Sequence, residues 1–255
     1  MESIMQPANK ISFSEGEMQS LKTEHISKRY GKKQVNTDIT LTFGRGFHGI
    51  IGPNGSGKST YLNTLCGIVV PDSGEIFFNG EKVTGMPKSY RGVLRVLFQH
   101  PPVFESHTVY EMMEYGAMLY EVDAKDKKRQ ISAALSEVHL TGEEKKKVKT
   151  LSGGMRQRLC IAMALLGQSE IILLDEPTAG LDISERESLK QILTKLKRDR
   201  IIIMTTHILT DLSEIADTLT ILKSGRVCAR EELYDLEPEY RTESYLYGIY
   251  EKGLL

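Results

Sequence analysis

The strongest constraint in the sequence is a glycine-rich run that ends in Lys-Ser. It reads Gly52, Pro53, Asn54, Gly55, Ser56, Gly57, Lys58 and Ser59. An apolar stretch at 47–51, typical of a strand, precedes the run, and helical spacing begins at Thr60. Glycines allow tight turns in which successive N–H groups face phosphate oxygens, and the helix end adds positive partial charge. The run therefore predicts a loop that binds nucleotide phosphates, and Thr60, the next residue, is expected to belong to the same binding site.

Two side chains at the end of this loop have expected roles in a phosphate cradle of this kind. Lys58 is expected to reach the β- and γ-phosphates of ATP, and Ser59 to hold Mg²⁺. The strand–loop–helix context makes a chance glycine-rich turn a poor explanation. The sequence thus predicts a protein that binds ATP with Mg²⁺.

A second element delivers two carboxylates to the end of a buried strand. Residues 171–174 are all apolar, and Asp175 and Glu176 follow directly. In open α/β sheets this end of the strands lies beside the ligand. Asp175 is expected in the Mg²⁺ shell, and Glu176 is expected to be the general base for the attacking water. Alone, the pair would equally fit an acidic turn before Pro177, but the loop at 52–59 favours catalysis.

A third element is a second anion cradle. Ser152, Gly153 and Gly154 stand at the start of a stretch with helical spacing at 155–166. A serine and two glycines there leave N–H groups at the positive helix end. One ATP needs only one phosphate loop, so this second cradle is expected to serve a nucleotide held by another subunit.

The order of these motifs resembles that of the ATP-binding subunits of ABC transporters, whose signature the Leu-Ser-Gly-Gly stretch at 151–154 matches. The resemblance covers about residues 21–230. It implies an α/β P-loop NTPase with a RecA-like, mainly parallel sheet, an N-terminal antiparallel β subdomain and an inserted helical subdomain at about 85–165. Residues 1–20 are expected to form a polar extension, and 231–255 a C-terminal tail.

The resemblance assigns four further residues by their position among the motifs. Tyr30 stands where the family stacks an aromatic ring on adenine. Gln99 stands where a glutamine takes part in catalysis and links Mg²⁺ to the membrane partner. Asp182 lies in the loop that meets the opposite subunit and its nucleotide, and His207 matches the histidine that contacts the γ-phosphate.

The resemblance and the composition together predict the partners. Two ATPase subunits, identical or paralogous, are expected to close head to tail around ATP on a separate transmembrane permease. Lys plus Arg number 33 and Asp plus Glu 34, which gives no electrostatic case for nucleic acid. No apolar run reaches the length of a membrane span, and residues 1–20 lack the apolar region of a signal peptide. The expected location is cytoplasmic, on the inner face of the membrane through the permease.

Three functions compete within this interpretation. Three features resemble exporters of a drug, peptide or lipid-like substrate more than nutrient importers. They are the spacing around 108–120, Met155 after the signature, and the sequence at 205–208. A soluble ABC-type ATPase without a transport role is the next alternative, but the chain shows no long coiled coil and no second ATPase domain. A small-molecule kinase leaves the cradle at 152–154 unexplained.

Two segments keep alternative interpretations. Apolar residues at 98, 101–104 and 112–115 fit either docking onto the membrane subunit or the insert's own core. The tail carries five tyrosines between 234 and 250, and packing on the core is favoured there over contact with a partner.

Overall fold

Two β-sheets organise the part of the chain that the computed structural model describes, which is residues 19–99, 103–233 and 243–254. The extension expected at 1–20 thus lies almost wholly outside the described residues. The strands are β1 (Ser20–Tyr30), β2 (Lys33–Gly44), β3 (Gly46–Ile51), β4 (Ser73–Phe78), β5 (Glu81–Lys82), β6 (Leu94–Leu97), β7 (Ile171–Asp175), β8 (Ile201–Thr206), β9 (Thr218–Lys223) and β10 (Arg226–Glu232).

One sheet is antiparallel, with strand order β2-β1-β4-β5. The other has the order β10-β9-β3-β8-β7-β6, and its neighbours run parallel except for the antiparallel pair of β9 and β10. The expected fold class is therefore confirmed: a mainly parallel sheet joined to an N-terminal antiparallel sheet.

Helices cover the parallel sheet and fill the segment between its strands. They are α1 (Lys58–Leu65), α2 (Lys88–Val93), α3 (Val109–Leu119), α4 (Ala124–Glu137), α5 (Gly153–Ala164), α6 (Ile183–Leu196) and α7 (Glu243–Leu254), with short 3₁₀ turns at Val148–Thr150 and Leu209–Asp211. In the described ranges, no helix has both the length and the apolar character needed to cross a bilayer.

The central strands are continuous apolar runs because both faces of the sheet are buried. In β7, Ile171 and Leu173 join a core with α1 and the antiparallel sheet. Ile172 and Leu174 point the other way, into a core shared with α3 to α6. Successive side chains of a strand alternate between faces, so residues 171–174, which lie between the two cores, are all apolar.

The segment at 85–165 contains one strand of the parallel sheet, the short helix α2 and three helices that pack on one another. Its strand β6 pairs with β7, and α3, α4 and α5 pack on one another. A buried arginine joins the two parts: the Arg95 guanidinium lies 3.9 Å from the centre of the Tyr120 ring and donates to Leu166 O at 3.0 Å. This contact ties the ends of α3 and α5 to the sheet.

The apolar residues considered for docking divide between core and surface. Met112 and Met113 are fully buried and belong to the core of the helical segment. Phe104 is 46% exposed and packs its ring edge-on against Tyr115. Residues 101 and 102 lie outside the described residues.

The C-terminal region adds two strands that the sequence patterns did not predict, β9 and β10. Helix α7 packs against both, and its residues Ile249 and Tyr250 contact the main core. Helix α7 therefore packs on the core, which is the interpretation of the tail that the sequence favours. Tyr234 and Tyr240 lie outside the described residues.

One buried histidine sits in the centre of the sheet. His48, on β3, donates from Nε2 to Gly44 O at 2.8 Å and accepts at Nδ1 from the Thr218 hydroxyl at 3.0 Å. Burial lowers its pKa to about 4, helped by Arg230 and Lys197, while the Gly44 hydrogen bond and Asp217 oppose the shift. The folded protein therefore holds this ring neutral.

We expect His48 to make stability fall in mild acid. The unfolded chain binds a proton at this ring below its ordinary pKa of 6.5, whereas the folded chain does so only near 4. Stability is thus full above pH 6.5 and falls as the pH drops towards 4, by about 2 kcal/mol between pH 7 and pH 5. Urea unfolding at both pH values measures it. His48→Gln should remove that part of the pH dependence, and an unchanged slope in this variant would contradict the assignment.

Candidate nucleotide-binding and catalytic site

The loop at 52–59 connects β3 to α1 and leaves the start of that helix free of side-chain caps. Helix α1 begins after Gly57, which has φ of 103° and no capping side chain. By contrast, helices α3, α4, α5 and α6 each begin with a capping residue whose side-chain oxygen accepts a hydrogen bond from a backbone N–H of the first turn. These capping residues are Thr108, Asp123, Ser152 and Asp182. The first N–H groups of a helix have no partner within the helix, so those of α1 are available to an anion.

The Lys58 ammonium lies folded over this loop. Its Nζ donates to Gly52 O at 2.8 Å and to Pro53 O at 3.4 Å, and the side chain is only 5% exposed. Burial lowers the pKa of Lys58, and the carboxylates of Glu176 and Asp175 oppose that shift. Lys58 is thus a largely buried cation whose partners among the described residues are two carbonyl oxygens and a carboxylate 3.8 Å away, an arrangement that suits an incoming phosphate.

Strand β2 contacts the loop at 52–59 through Asn36, and the sequence did not predict this contact. Asn36 Nδ2 donates to Gly57 O at 3.1 Å. A Cβ added to Gly57 would lie 2.5 Å from that amide nitrogen and 2.6 Å from Val35 O, so only glycine fits. The Ser56 hydroxyl is buried and has no hydrogen-bond partner in the part of the chain that the structure describes. An orphaned hydroxyl in the loop is the kind of group that a bound phosphate would satisfy.

The two groups expected at the metal meet across the sheet edge. Ser59 Oγ donates to Asp175 Oδ1 at 3.1 Å, and the Thr205 hydroxyl donates to the same carboxylate oxygen. Hard oxygen donors of this type fit Mg²⁺, which binds through few protein ligands and keeps several waters. Gln99 lies exposed just after β6, and no hydrogen bond among the described residues joins it to Ser59 or Asp175.

Glu176 occupies a restricted backbone conformation beside these groups. Its φ is 48°, in the left-handed region that non-glycine residues rarely adopt, and its N–H donates to Thr205 O at 3.0 Å. Its carboxylate lies 3.8 Å from Lys58 Nζ on one side and 3.1 Å from His207 Nδ1 on the other. The structure thus brings together Lys58, Glu176 and His207, which are far apart in the sequence.

At the second predicted cradle a helix begins after Ser152, and another group of the chain lies against its start. Ser152 Oγ accepts from Met155 N at 3.1 Å and donates to Glu185 Oε1 at 2.9 Å. Gly154 N donates to the same carboxylate oxygen at 3.0 Å, and Asp182 Oδ1 accepts from Glu185 N at 2.8 Å. No hydrogen bond in the described ranges connects 152–154 with 52–59, so a single chain does not bring its two cradles together.

The aromatic ring expected to face adenine is accessible. Tyr30 ends β1 and is 50% exposed, and Lys28 Nζ lies 5.7 Å from its ring centre. Because β2, which follows the turn after Tyr30, reaches the phosphate loop at Asn36, the ring lies on the hairpin that supports the loop.

A buried carboxylate, also missed by the sequence analysis, joins the loops around the site. Asp211 is 2% exposed and accepts from the hydroxyls of Thr178 and Thr206, the latter at 3.4 Å. Arg186 Nη1 lies 3.8 Å away, on α6. Asp211 therefore links the loop after Glu176 to the residue before His207.

The chain was compared with known proteins. It matches the family model described as "ABC transporter" over residues 36–179. It is 36% identical over 204 residues to the "Thiamine import ATP-binding protein ThiQ" of Brucella suis, covering 79% of this chain and 83% of that protein. It is also 36% identical over 180 residues to "ABC transporter ced-7" of Caenorhabditis elegans, covering 71% of this chain but only 11% of the worm protein. The chain thus spans about a tenth of that relative's length.

Solved structures share the fold. The ADP conformation of MJ1267, an ATP-binding cassette of an ABC transporter, has a TM-score of 0.79 at 23% identity, covering 92% of this chain and 95% of that chain. The dimeric structure of MJ0796, a bacterial ABC transporter cassette, has a TM-score of 0.74 at 27% identity, covering 84% and 98%. These matches confirm the resemblance that the motifs carry.

We expect the buried Asp211 network to matter for stability. Asp211→Ala leaves two hydroxyls without this acceptor and Arg186 without this ion-pair partner, and should cost about 2–4 kcal/mol of unfolding free energy. Asp211→Asn keeps an acceptor of the same size and should cost less. Chemical denaturation measures both, with Asp199→Ala at a largely exposed position as the control. An Asp211→Ala variant as stable as that control would contradict the role of the network.

Proposed function

The chain belongs to the ABC transporter family, and on that premise we propose how its own residues bind ATP and hydrolyse it. Members of this family hydrolyse ATP to power transport. The observation that carries the proposal is the convergence of Lys58, Glu176 and His207 at the end of the parallel sheet. A cation can stabilise the charge on a phosphoryl group, and a carboxylate and an imidazole beside it can orient and polarise an attacking water.

Binding would begin at the phosphate loop. The uncapped N–H groups of α1 and the orphaned Ser56 hydroxyl face the phosphates. Lys58 exchanges its carbonyl contacts with Gly52 and Pro53 for the more strongly charged β- and γ-phosphates. The exposed ring of Tyr30 stacks on the adenine base.

Ser59 and Asp175 would hold Mg²⁺, which neutralises charge on the phosphates when bound. Asp175 is oriented for this by the Thr205 hydroxyl, which fixes one carboxylate oxygen. Gln99 joins this pair by the family resemblance, and it is exposed at the same edge of the sheet.

Glu176 would polarise the attacking water. The backbone conformation of Glu176 and the hydrogen bond from its N–H to Thr205 O fix the position from which its side chain extends. His207 Nδ1 lies 3.1 Å from one of its carboxylate oxygens. In that position the carboxylate accepts a proton from water as the phosphoryl bond breaks. By the family resemblance, His207 would also contact the γ-phosphate.

The complete site would take residues from two subunits. Within the described ranges, no hydrogen bond joins 152–154 to the loop at 52–59 of the same chain, and Ser152, Gly153 and Gly154 form a cradle at a helix start. Asp182 opens the next helix on the same side. We assign the cradle to the ATP of a second copy of this chain, as in a head-to-tail dimer; the similar cassette MJ0796 is described as dimeric.

A separate transmembrane permease on the inner face of the cell membrane would use the closure of this dimer. We favour export of a drug, peptide or lipid-like substrate, based on the resemblance at 108–120, Met155 and 205–208. The second candidate is import, favoured by the 36% identity to a thiamine import ATP-binding protein.

Glu176→Gln tests the catalytic assignment. The amide cannot take a proton from water, so turnover should fall about 100-fold or more, while ATP binding and ATP-dependent dimers remain. Phosphate release measures turnover, and analytical ultracentrifugation measures the ATP-dependent dimer, which forms only if ATP binds. Lys58→Ala is the control that should lose nucleotide binding as well. Undiminished hydrolysis by Glu176→Gln would exclude Glu176 as the base.

The direction of transport has its own test. Cells that carry only the Glu176→Gln protein are compared with wild-type cells by mass spectrometry of cell extracts and medium. An exporter leaves its substrate accumulated inside the variant cells. A substrate left in the medium and depleted inside the cells would contradict export and support the import alternative.

A further inference from the structure

The second cradle, formed by Ser152, Gly153 and Gly154 and called the signature cradle below, already holds an anion within the single chain. This anion is the carboxylate of Glu185. One carboxylate oxygen accepts from both Ser152 Oγ and Gly154 N, at 2.9 and 3.0 Å. A Cβ on Gly154 would overlap the Glu185 carboxyl group, so the side chain lies directly against the helix end. The carboxylate thus occupies the place where this helix end would receive a phosphate oxygen.

The first turn of α6 delivers this carboxylate. Asp182 caps α6 by accepting from Glu185 N, and α5 and α6 pack together. The next residue, Arg186, is turned elsewhere: its Nε donates to Leu181 O and its guanidinium lies near Asp211. No basic side chain in the described part of the chain forms an ion pair with Glu185, so its charge is balanced mainly by the N–H groups of α5.

We propose that Glu185 is an internal competitor for the phosphate of the partner subunit's ATP. This inference rests on the proposed function, in which Ser152 and Gly154 face that nucleotide. Two anions cannot share one pair of donors, because their charges repel and the donors satisfy only one of them. Glu185 must therefore leave Ser152 and Gly154 before the dimer closes, and its departure sets how much ATP closure requires.

A purely structural role predicts the opposite effect. If Glu185 only stabilised the start of α5, its removal would loosen the cradle and raise the ATP concentration needed for closure. Helix α5 has a cap of its own, since Ser152 Oγ accepts from Met155 N. Loss of the Glu185 charge therefore leaves the helix start intact, and the neutral side chain that remains is displaced more readily by phosphate because neutral hydrogen bonds are weaker than charged ones. The sign of the change separates the two roles.

The experiment measures ATP-dependent dimerisation of the full-length chain in the Glu176→Gln background. Sedimentation velocity over a series of ATP concentrations gives the concentration at half-maximal dimer. We expect Glu185→Gln, which keeps the size of the side chain but removes its charge, to lower that concentration about three- to tenfold. Glu187→Gln is the matched control, because Glu187 lies on the same helix, half-exposed, near Lys190. That control should leave the midpoint unchanged.

Two further measurements secure the interpretation. ADP binding to the monomer should be unchanged in Glu185→Gln, because the phosphate loop is not altered, and thermal unfolding should show that the variant is folded. An equal or higher ATP requirement in Glu185→Gln would overturn the competitor role while leaving the proposed function in place. Failure of the Glu176→Gln background itself to form an ATP-dependent dimer would instead contradict the proposed two-subunit site.

Discussion

The register of three adjacent parallel strands is the constraint on which the site depends. Ile51 of β3 pairs with Thr206 of β8, and Thr205 pairs with Asp175 of β7, so the three strands end at one level. The phosphate loop, the carboxylates and His207 each follow one of these ends. Because side chains alternate along a strand, a slip of one residue in β7 would turn Asp175 to the opposite face and separate it from Ser59. The hydrogen bond between Ser59 and Asp175 depends on this register.

The sequence predicts what is local and misses what joins distant segments. Strands buried on both faces appear as apolar runs, and phosphate loops need glycines at fixed spacing, so the core strands and motifs could be located. Strand β9 mixes threonines with apolar residues and β10 carries several charges, so neither shows a clear pattern. Three further contacts span 21 to 33 residues and follow from tertiary packing: Asn36 to Gly57, Thr178 to Asp211, and Ser152 to Glu185.

The two anion cradles differ in a way that only the structure shows. Helix α1 begins without a capping side chain, and the hydrogen-bond partners of Lys58 among the described residues are carbonyl oxygens of its own loop. Helix α5 begins with Ser152, and Glu185 lies against it. One cradle is thus open to phosphate within the single chain, and the other is satisfied internally. This asymmetry suits the proposed site, in which each chain would bind nucleotide first and complete the site only on closure with a second subunit.

The central claim is that the site is shared between two chains, and mixing two inactive variants tests it most directly. Lys58→Ala disables the phosphate loop, and Gly153→Asp adds a like charge to the signature cradle, where the nearest side-chain atom, Leu181 Cδ2, is 3.9 Å from the added Cβ. In a mixed dimer both changes fall on one composite site and the other stays intact. The account predicts that mixing the two proteins restores ATP hydrolysis that neither shows alone. A mixture that forms dimers yet remains inactive would contradict it.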